Sequence, residues 1–479
     1  MKLEAISILD EKTIKTTGMK KLYLLCLLLL SVLFLEAQTL FTNVAGSQNI
    51  DQVYVSGIGG GVSFYDFDND GLDDLTLATA EGSTIQFYKN TEGNFVLQDA
   101  FVDHQGQAEH PLWVDFDNDG DNDLYVTTVD GTNKLYRNNG EMVFTDITET
   151  AGLPINDHRS FGACWADIDR DGWLDLYYGE RKFPINSGIN ENRLFRNNAD
   201  GTFTEITVES GAQDPDKIPF CSSFIDYNND KWPDIYTTND KGSINTLLKN
   251  NGDGTFTDVG EVANADLTMD GMGIALGDYD NDGWQDLYLS NIPVGNKLLH
   301  NLGYSEELQE VIFEEVAAAS GVGFYGISWG TNFFDADNDG HLDLYVNSLR
   351  LNTDTISNTI FFNDGEGQFF QEYAGFGSDT ISTFCNAIGD YNQDGYPDII
   401  VSGFETNNAR LWSNEGTENN WVKLSLEGIL SNRSGVGAKI EVYINGNYQM
   451  RYTHCGIAFM GQNSGTEIIG TGSSTAVDS

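Results

Sequence analysis

The chain of 479 residues is strongly acidic, with 73 Asp and Glu against 25 Lys and Arg and a formal net charge of −48. This excess of negative charge excludes nucleic acid and anionic membrane surfaces as partners and makes cations the natural counterpart. Aromatic residues at 12% and hydrophobic residues at 40% supply enough apolar surface for a core, so the acidity does not indicate disorder. The length implies either several domains or one large repeat architecture.

The N-terminal region has the pattern of an export signal. A basic start at residues 19–21 precedes an apolar run at residues 22–35, and Ala37 follows. The run is too short for a comfortable membrane span, and a small residue at the end is typical of signal-peptide cleavage. We expect residues 1–37 to be an N-terminal extension and signal peptide, with translation beginning at Met19. The remaining protein is then secreted or held at the cell surface, without insertion into the membrane.

Residues 40–46, LFTNVAG, form the next predicted element, a short β-strand with an aromatic residue near its start. The same pattern ends the repeats described below, so this strand stands apart from the unit to which it belongs. We predict that it completes the last repeat and closes the array into a ring. Closure removes the edge that an open solenoid, the alternative, would expose.

From residue 66 onward one ten-residue acidic loop recurs seven times, with starts 49 to 59 residues apart. Oxygen-bearing side chains occupy loop positions 1, 3, 5 and 9, glycine occupies position 6 in six copies, and position 10 is apolar. Loops one to seven are DFDNDGLDDL from Asp66, DFDNDGDNDL from Asp115, DIDRDGWLDL from Asp167, DYNNDKWPDI from Asp226, DYDNDGWQDL from Asp278, DADNDGHLDL from Asp335 and DYNQDGYPDI from Asp390.

This pattern is typical of a calcium site. Ca²⁺ takes about six to eight oxygen ligands, and alternate residues of a tight turn aim carboxylates and one position-7 carbonyl at a common centre. Mg²⁺ prefers a smaller octahedral site, and a transition metal prefers His or Cys, which are absent from positions 1, 3, 5 and 9. We predict up to seven Ca²⁺ ions. The predicted ligands, with position 7 acting through its carbonyl, are Asp66, Asp68, Asp70, Leu72 and Asp74; Asp115, Asp117, Asp119, Asp121 and Asp123; Asp167, Asp169, Asp171, Trp173 and Asp175; Asp226, Asn228, Asp230, Trp232 and Asp234; Asp278, Asp280, Asp282, Trp284 and Asp286; Asp335, Asp337, Asp339, His341 and Asp343; and Asp390, Asn392, Asp394, Tyr396 and Asp398.

Two loops depart from the pattern. Asn228 and Asn392 replace a carboxylate at position 3 of loops four and seven, and Lys231 replaces the glycine of loop four. We expect the fourth loop to be the least suited to Ca²⁺ and the seventh to bind it more weakly. The alternative for any single copy is an acidic surface turn that binds nothing. Seven copies argue against it, because converging carboxylates without a cation repel one another.

The residues around the loops predict β-strands. In the second unit four strands are LWVDF, DLYVTTV, KLYRNN and VFTDITE, and a similar order recurs in later units. Position 12 is never acidic, which excludes EF-hands. Four strands in a period of about 50 residues are typical of propeller blades. The predicted fold class is all-β: a seven-bladed β-propeller over residues 38–416, closed by an N-terminal strand, and a small β-rich C-terminal domain over residues 417–479.

Four cysteines follow the signal peptide: Cys164, Cys221, Cys385 and Cys455. An even number in an exported protein permits disulfides. Three of them, however, lie in apolar runs just upstream of acidic loops, where a small buried thiol is the expected role. We predict no disulfide framework.

Residues 40–416 resemble the FG-GAP or VCBS repeat proteins, whose calcium-bearing units build a propeller of the integrin-alpha type. The tail NNWVKLSLEGILSNRSGVGAKIEVYINGNYQMRYTHCGIAFMGQNS, from Asn419, resembles the ASPIC/UnbV domain found behind such repeats in relatives of the cartilage acidic protein. In that family the final strands continue further, so the resemblance implies a truncated domain here.

One hypothesis for function is adhesion, recognition or scaffolding by a monomer with no catalysis of its own. Calcium stiffens the blades, and loops on the face opposite the metal turns contact an extracellular protein or glycan. The longest such loops are residues 179–191, with Arg181 and Lys182, and residues 347–358, with Arg350. These cations either meet an acidic partner or are simply solvated.

The alternative hypothesis is an extracellular calcium-dependent polysaccharide lyase, which needs a positioned base. His104, His110 and His158 precede strand-one runs and are the candidates. No zinc-type His pair, nucleophile elbow or Cys-His spacing accompanies them. Hydrolysis by paired carboxylates stays open, because 73 acidic residues conceal any such pair.

Overall fold

A computed structural model describes residues 40–50, 60–80, 82–104, 106–129, 131–155, 159–181, 191–349, 357–372, 374–376, 381–403 and 408–478. Across these residues seven antiparallel units of four strands form a β-propeller, which confirms the predicted fold class. The signal-peptide prediction falls on residues outside those described. Helices in the described ranges are too short or too polar to span a membrane.

Each blade begins with the strand that enters its acidic loop, and the strand order follows the chain. One short strand, β1 (Phe41–Asn43), precedes the first blade. Blades one to three are β2 (Val62–Tyr65), β3 (Asp74–Leu77), β4 (Gln86–Thr91) and β5 (Asn94–Leu97); β6 (Ala108–Val114), β7 (Asp123–Thr128), β8 (Lys134–Asn138) and β9 (Phe144–Asp146); and β10 (Arg159–Ala166), β11 (Asp175–Arg181), β12 (Glu191–Asn197) and β13 (Phe203–Glu205). A single helical turn, α1 (Thr207–Ser210), follows β13.

The fourth blade carries an extra two-stranded ribbon, and the fifth and sixth repeat the simple pattern. Blade four is β14 (Pro219–Ile225), β15 (Asp234–Asn239), β17 (Thr246–Asn250) and β18 (Phe256–Asp258), with the ribbon formed by β16 (Ser243–Ile244) and β19 (Thr268–Met269). Blades five and six are β20 (Ile274–Gly277), β21 (Asp286–Leu289), β22 (Lys297–Ser305) and β23 (Glu310–Glu315); and β24 (Ile327–Phe334), β25 (Asp343–Leu349), β26 (Thr359–Asn363) and β27 (Phe369–Glu372).

The seventh blade joins the two ends of the propeller. It contains β28 (Thr383–Gly389), β29 (Asp398–Gly403) and β30 (Arg410–Asn414), and β1 supplies its outermost strand. Phe41 pairs with Asn414 and Asn43 pairs with Trp412 in antiparallel register. The prediction that an N-terminal strand closes the ring is therefore confirmed, and the open solenoid is excluded.

Burial falls from the first strand of a blade to the fourth. Strands β6, β14 and β28 are buried at every residue, because neighbouring blades and the propeller axis enclose them. Strands β13 and β18 bury only their leading phenylalanine. The ring centroid of Phe203, for example, lies 5.8 Å from that of Phe116, in the preceding blade, and 5.8 Å from that of Trp165, in its own blade. The aromatic-led fourth strand thus places its ring against the adjacent blade and leaves its other side chains in solvent.

A buried asparagine lies in the third strand of every blade, and it is the last residue of that strand in five of the seven blades. Its backbone N–H donates to the position-9 carboxylate of its own loop at 2.7–2.9 Å, and its Nδ2 donates to the position-8 carbonyl. In every blade except the second, Nδ2 also donates to the position-2 carbonyl of the preceding blade at 2.7–2.9 Å. These residues are Asn90, Asn138, Asn197, Asn250, Asn301, Asn363 and Asn414. One side chain therefore connects strand, loop and neighbouring blade.

Residues 417–478, the C-terminal module, form two antiparallel strand pairs. Strand β31 (Asn420–Ser425) pairs with β35 (Thr466–Gly472), and β32 (Lys439–Ile444) pairs with β33 (Asn447–Tyr452). Val442, Ile444 and Ile469 form a small apolar cluster between them. Strand β34 (Gly461–Gln462) instead pairs in parallel with β2 of the first blade. Residues 41–479 consequently form one compact unit.

Residues 453–464, the channel segment, run from the module into the axis of the propeller. Ala458, Phe459 and Met460 are fully buried there, and Phe459 and Met460 belong to the same apolar cluster as Val62 and Phe384. The segment bonds to the first strand of every blade. The contacts, from blade one to seven, are Ser63 Oγ to Gln462 Oε1, His110 Nε2 to Gly461 O, Trp165 N to Cys455 O, Cys221 Sγ to Ala458 O, Ala458 N to Ile274 O, Asn332 Nδ2 to Asn463 Oδ1 and Ser464 N to Ile388 O.

The four cysteines are buried with free thiols, as predicted for the three that lie in apolar runs. Cys221 and Cys385 donate to the carbonyls of Ala458 and Met460, so two of these thiols contact the channel segment. Burial raises the pKa of Cys221 and Cys455 to about 12, which keeps both thiols protonated.

The inter-blade asparagine generates the first testable prediction. Replacing Asn250 by Ala leaves the buried carbonyls of Ile168 and Pro233 and the amide of Gly252 without this partner. We expect the free energy of unfolding to fall by about 2–3 kcal/mol, since each unsatisfied buried group costs about 1 kcal/mol or more. Chemical denaturation monitored by tryptophan fluorescence measures the change.

The neighbouring Asn251 is the matched control. It is exposed and bonds only within its own turn, to Thr255 and Thr257. Asn251→Ala should change the free energy of unfolding by less than about 1 kcal/mol, as expected for a surface hydrogen bond. Equal losses in the two variants would contradict the inter-blade role of Asn250.

Candidate metal centres

All seven acidic loops share one backbone conformation that their own carboxylates stabilise. The position-1 carboxylate accepts the position-5 N–H at 2.9–3.1 Å and the position-6 N–H at 2.8–3.1 Å. The position-5 Oδ1 accepts the position-7 N–H at 2.9–3.0 Å. The turn therefore brings positions 1 and 5 together before any ion is considered.

The position-9 aspartate anchors each loop to its blade. One oxygen accepts the asparagine N–H of the third strand, as described above. In all loops but the fourth, the other oxygen accepts the position-2 N–H at 2.9–3.3 Å. These side chains are no more than 2% exposed. Each carboxylate keeps further lone pairs, so its anchoring role is compatible with metal ligation.

Loop four keeps the common conformation despite its lysine. Lys231 has φ of 71°, in the left-handed region where the corresponding glycines of the other loops lie between 82° and 100°. Its N–H still donates to Asp226 Oδ2 at 3.0 Å. The side-chain amide of Asn228, at position 3, donates to Asp230 Oδ2 at 2.8 Å, so a neutral hydrogen-bond donor stands where five other loops carry a carboxylate. The loop thus folds like its neighbours, at the cost of a strained backbone.

The loops are joined into a ring by the side chain at position 4, which the sequence analysis did not single out. In six loops its amide donates to the position-6 carbonyl of the next loop at 2.8–3.2 Å, and the seventh loop reaches back to the first. These side chains are Asn69, Asn118, Asn229, Asn281, Asn338 and Gln393. Between loops three and four Arg170 instead lies over the ring of Trp232, 4.9 Å from its centroid.

Buried carboxylate oxygens without a hydrogen-bond donor test whether the loops fit a cation. The position-3 Oδ1 atoms of loops one, two, three and five are buried and accept no hydrogen bond; they belong to Asp68, Asp117, Asp169 and Asp280. In each of these loops three carboxylates place oxygens within 4.8 Å of one another. A buried anionic oxygen without a partner is costly, and a hard cation satisfies it. The donor set is all oxygen, so the residues present fit Ca²⁺.

The pKa values of the loop carboxylates also indicate that the loops fit a cation. Burial raises the pKa of Asp74 to about 8 and that of Asp278 to about 8, with neighbouring carboxylates adding to the rise. At position 1, burial raises the pKa of Asp115 and of Asp167 to about 6. Without a cation these groups hold protons more readily than an ordinary carboxylate. A divalent ion at the loop reverses this preference.

A cation from the third strand also reaches four of the loops. Lys89 contacts Asp68 and Asp70 of loop one, and His300 Nδ1 lies 3.2 Å from Asp286 Oδ1 of loop five. The hydrogen bond to Asp286 raises the pKa of His300 to about 9, so its imidazole is charged at neutral pH. Burial raises the pKa of Asp117 and of Asp169, and the nearby charges of Arg137 and Arg196 oppose that rise, so these arginines act on loops two and three. All four residues directly precede the inter-blade asparagine. Only the strand register reveals their positions beside the loops.

The C-terminal module lies over the face of the propeller that carries the loops. Lys423 Nζ lies 3.3 Å from Asp390 Oδ2 of loop seven. Lys439 Nζ donates to Asn229 Oδ1 of loop four at 3.0 Å. Arg451 approaches Asp335 Oδ2 of loop six at 4.0 Å, and the backbone N–H of Arg433 donates to Asn118 of loop two. The loop face is therefore partly covered by the chain's own C-terminal residues.

Three of the six residues considered for proton transfer or for ligand contact lie in the described part of the chain, and each has a structural partner. His110 is 1% exposed, its Nδ1 accepts the N–H of Ala163, and burial lowers its pKa to about 4. His104 is buried, with Nδ1 3.2 Å from the hydroxyl of Tyr136. Arg181 pairs with Asp240 at 3.1 Å and stacks on Phe220, so it is not a solvated loop charge. His158, Lys182 and Arg350 lie outside the described residues.

The fold and the loops together define a β-propeller with an acidic turn in every blade and a C-terminal module on its loop face. The model of the FG-GAP-like repeat matches residues 66–126, 115–178, 185–237, 226–289 and 335–401. These matches cover more than half of the sequence, and the chain belongs to the FG-GAP-like repeat family. The model named ASPIC and UnbV matches residues 428–479. Both resemblances drawn from the sequence are confirmed.

Curated relatives share part of this chain. It is 25% identical over 203 residues to "Cartilage acidic protein 1" of Xenopus tropicalis and 27% identical over 233 residues to that of Homo sapiens. These alignments cover 40% and 44% of this chain and 30% and 32% of those proteins. The chain thus aligns with about a third of the length of the curated relatives.

Solved structures resemble the fold more distantly. A structure of an Agrocybe aegerita lectin recognising non-reducing terminal N-acetylglucosamine aligns with a TM-score of 0.40 and 18% identity, over 75% of this chain and 91% of that chain. YCF48, in a structure with a D1 peptide, aligns with a TM-score of 0.43 and 8% identity, over 78% and 95%. Likenesses at this level bear on neither ligand nor activity.

The strained residue of loop four generates a prediction. Lys231→Gly should stabilise the metal-free protein by about 0.5–1 kcal/mol, since a left-handed backbone costs an L-residue about 1–2 kcal/mol and glycine loses about 0.5–1 kcal/mol in chain entropy. Lys231→Ala removes the same charge but keeps the strain, so it should not stabilise. Thermal melts in EGTA compare the variants. Equal stabilisation by both would assign the effect to charge instead.

Proposed function

We propose that this protein is a secreted, calcium-loaded propeller that recognises an extracellular protein or glycan and has no catalytic activity of its own. The observation that carries the proposal is the repetition of one loop in which carboxylate oxygens converge, with a buried position-3 oxygen that has no hydrogen-bond donor in loops one, two, three and five. In loop two, for example, Asp115, Asp117 and Asp123 place oxygens within 4.8 Å of one another. Calcium acts as a structural ion that neutralises these oxygens and holds each turn rigid.

The proposed secretion is consistent with the proposed calcium binding. Extracellular modules bind Ca²⁺ with Kd of about 10⁻⁴ to 10⁻³ M, a range that suits a calcium-rich exterior rather than the cytosol. The export signal predicted for residues 1–37 sends the chain to that exterior. Four buried free thiols, rather than a disulfide framework, leave rigidity to the closed ring and its ions.

Recognition through a face, rather than through a central pocket, follows from the position of the channel segment. Residues 453–464 fill the propeller axis with buried side chains such as Phe459 and Met460. The C-terminal module lies over the loop face. The opposite face, which carries the connections between second and third strands and between blades, is the surface we assign to the partner. A rigid scaffold with variable loops at one face is a common arrangement for binding.

The lyase alternative needs an accessible base, and the environment of His110 argues against one there. Its two ring nitrogens are engaged by Ala163 N–H and Gly461 O, and its pKa is lowered to about 4 by burial. A neutral imidazole held in this way positions the channel segment. We therefore propose a non-catalytic module, working as a monomer.

Calcium removal provides the first test. In 10 mM Ca²⁺ each site with a Kd of about 10⁻⁴ to 10⁻³ M stabilises the fold by about 1.4–2.7 kcal/mol, so the melting temperature should fall on addition of EGTA. Isothermal titration calorimetry of the metal-free protein should register several ions per chain. Absence of any uptake, together with a melting temperature indifferent to EGTA, would overturn the calcium assignment.

A pair of substitutions in loop two tests the individual ligands. Asp117→Asn removes a position-3 charge with a buried unpartnered oxygen, so we expect at least a tenfold loss of affinity at that loop, of the order produced by losing one ligand charge. Asp121→Asn is the matched control, because position 7 acts through its carbonyl and the substitution keeps the backbone. The number of ions bound at fixed free calcium measures both. An effect confined to Asp121 would refute the ligand assignment.

The partner is sought on protein and glycan arrays probed with and without Ca²⁺. Binding that depends on Ca²⁺ supports a ligand face ordered by the metal loops, whereas binding that survives complete metal removal contradicts it. Incubation with acidic polysaccharides, followed by measurement of new chain ends, tests the alternative. Turnover of such a polymer would overturn the proposal that the protein is not an enzyme.

A further inference from the structure

The cations beside the seven acidic loops come partly from the blades and partly from the C-terminal module, and the two sources supply different loops. In blades one, two, three and five the third strand carries a basic residue directly before the inter-blade asparagine: Lys89, Arg137, Arg196 and His300. In blades six and seven the equivalent residues are Phe362 and Ser413, which carry no charge. In blade four it is Lys249, which pairs with Glu310 at 3.3 Å. Loops six and seven therefore lack a cation from their own third strand, and the third-strand lysine of blade four is paired with Glu310.

The C-terminal module places a cation at each of these three loops. Lys439 reaches loop four through Asn229, Arg451 approaches Asp335 of loop six, and Lys423 lies 3.3 Å from Asp390 of loop seven. Residues 417–479 contain two lysines and two arginines, and both lysines lie at loops with asparagine in place of the position-3 carboxylate. The fourth cation, Arg433, lies beside Gly120 of loop two.

The formal charges of the propeller and of the C-terminal module explain why the module's cations lie at the acidic loops. Residues 417–479 carry four basic and five acidic residues, so they contribute −1 to the formal charge of −48 and leave −47 on residues 1–416. The few cations of a nearly neutral module thus contact the loops of a strongly acidic propeller. Lys423 is also placed between two carboxylates, since Asp73 accepts the N–H of Asp390 and is acted on by the same lysine.

We propose that the C-terminal module acts as a built-in countercharge for loops four and seven, where Lys439 and Lys423 compete with calcium for the same negative charge. These two loops then stay folded in calcium-free protein because the module is in place, and they bind calcium more weakly than the loops with four carboxylates. The inference rests on the proposed calcium binding. It assigns to this chain's own lysines the role of setting which loops depend on the ion.

Replacing Lys423 or Lys439 by Met tests the proposal in the full-length protein. Each substitution should raise the calcium affinity of its own loop by about tenfold, because a positive charge a few ångströms from a divalent ion opposes it even in a water-like medium. The same variants should melt at a lower temperature than wild type in EGTA, and this difference should shrink in saturating Ca²⁺. Lys423→Arg keeps the charge and should leave the calcium affinity of loop seven unchanged.

Terbium luminescence distinguishes loop four from the rest. Trp232 stands at position 7 of loop four, so the emission that Trp232→Phe removes reports that loop. Lys249→Met is the matched control: it removes a lysine of the same blade whose partner is Glu310, and the terbium affinity of loop four should not change. Lys89→Met, which removes the cation of loop one, should raise the affinity there as the module variants do at their loops.

The outcomes separate this inference from the calcium assignment. If no loop takes up calcium or terbium, the proposed function fails. If the loops bind but Lys423→Met and Lys439→Met match wild type in affinity and in EGTA melting, the countercharge role alone is wrong. Should Lys423→Met fail to fold, Lys439→Met decides the question, since Lys439 is 27% exposed and its contact lies at the rim of loop four.

Discussion

Negative charge gathered in buried turns is the constraint on which the rest of the structure depends. The position-1 and position-5 carboxylates accept the N–H groups that shape each turn, so the loop cannot adopt its conformation without bringing like charges together. The position-9 carboxylate extends the constraint into the blade through the N–H of the inter-blade asparagine. That asparagine bonds to the preceding blade, as Asn250 does through Ile168. Charge balance in a turn is thus linked to packing between blades.

The same constraint explains the cations around the ring. A charge of −48 leaves few basic residues, and the described part of the chain places a large share of them beside the loops rather than on open surface. Lys89 and His300 come from the third strand, whereas Lys423 and Lys439 come from the module. Fixed cations and the calcium ions that we propose would both offset this negative charge. A protein that used both would remain folded over a range of calcium concentrations.

The sequence predicted the features that follow from local pattern. Loop spacing predicted seven blades, and the aromatic-led strand at residues 40–46 predicted the closure that β1 makes with β30. It did not predict the channel segment, because an apolar run such as 457–460 reads equally well as an ordinary strand of a small domain. Burial of that run depends on contacts with residues up to several hundred positions away, such as His110 with Gly461. Periodicity carries no information on such pairings.

Side-chain contacts between blades also could not be predicted from the sequence, because they join residues that are far apart in the chain. Asn69 at position 4 reads as a turn residue in a left-handed conformation, and its bond to Gly120 O of the next loop exists only because the propeller places the two turns side by side. Arg181 reads as a loop cation, yet the structure buries it on Phe220 and pairs it with Asp240.

A propeller with a filled axis has consequences for how it can function. The channel segment bonds to the first strand of every blade, so the blades are fixed to a common centre as well as to one another. The module whose strands carry this segment also supplies the lysines at loops four and seven. The channel segment, the blades and the C-terminal module are therefore connected. Packing of the channel segment fixes the blades at the axis, and the module's lysines contact loops four and seven at the loop face. On the proposed function, the face opposite the loops would offer a partner a rigid surface, and rigidity lowers the entropic cost of binding.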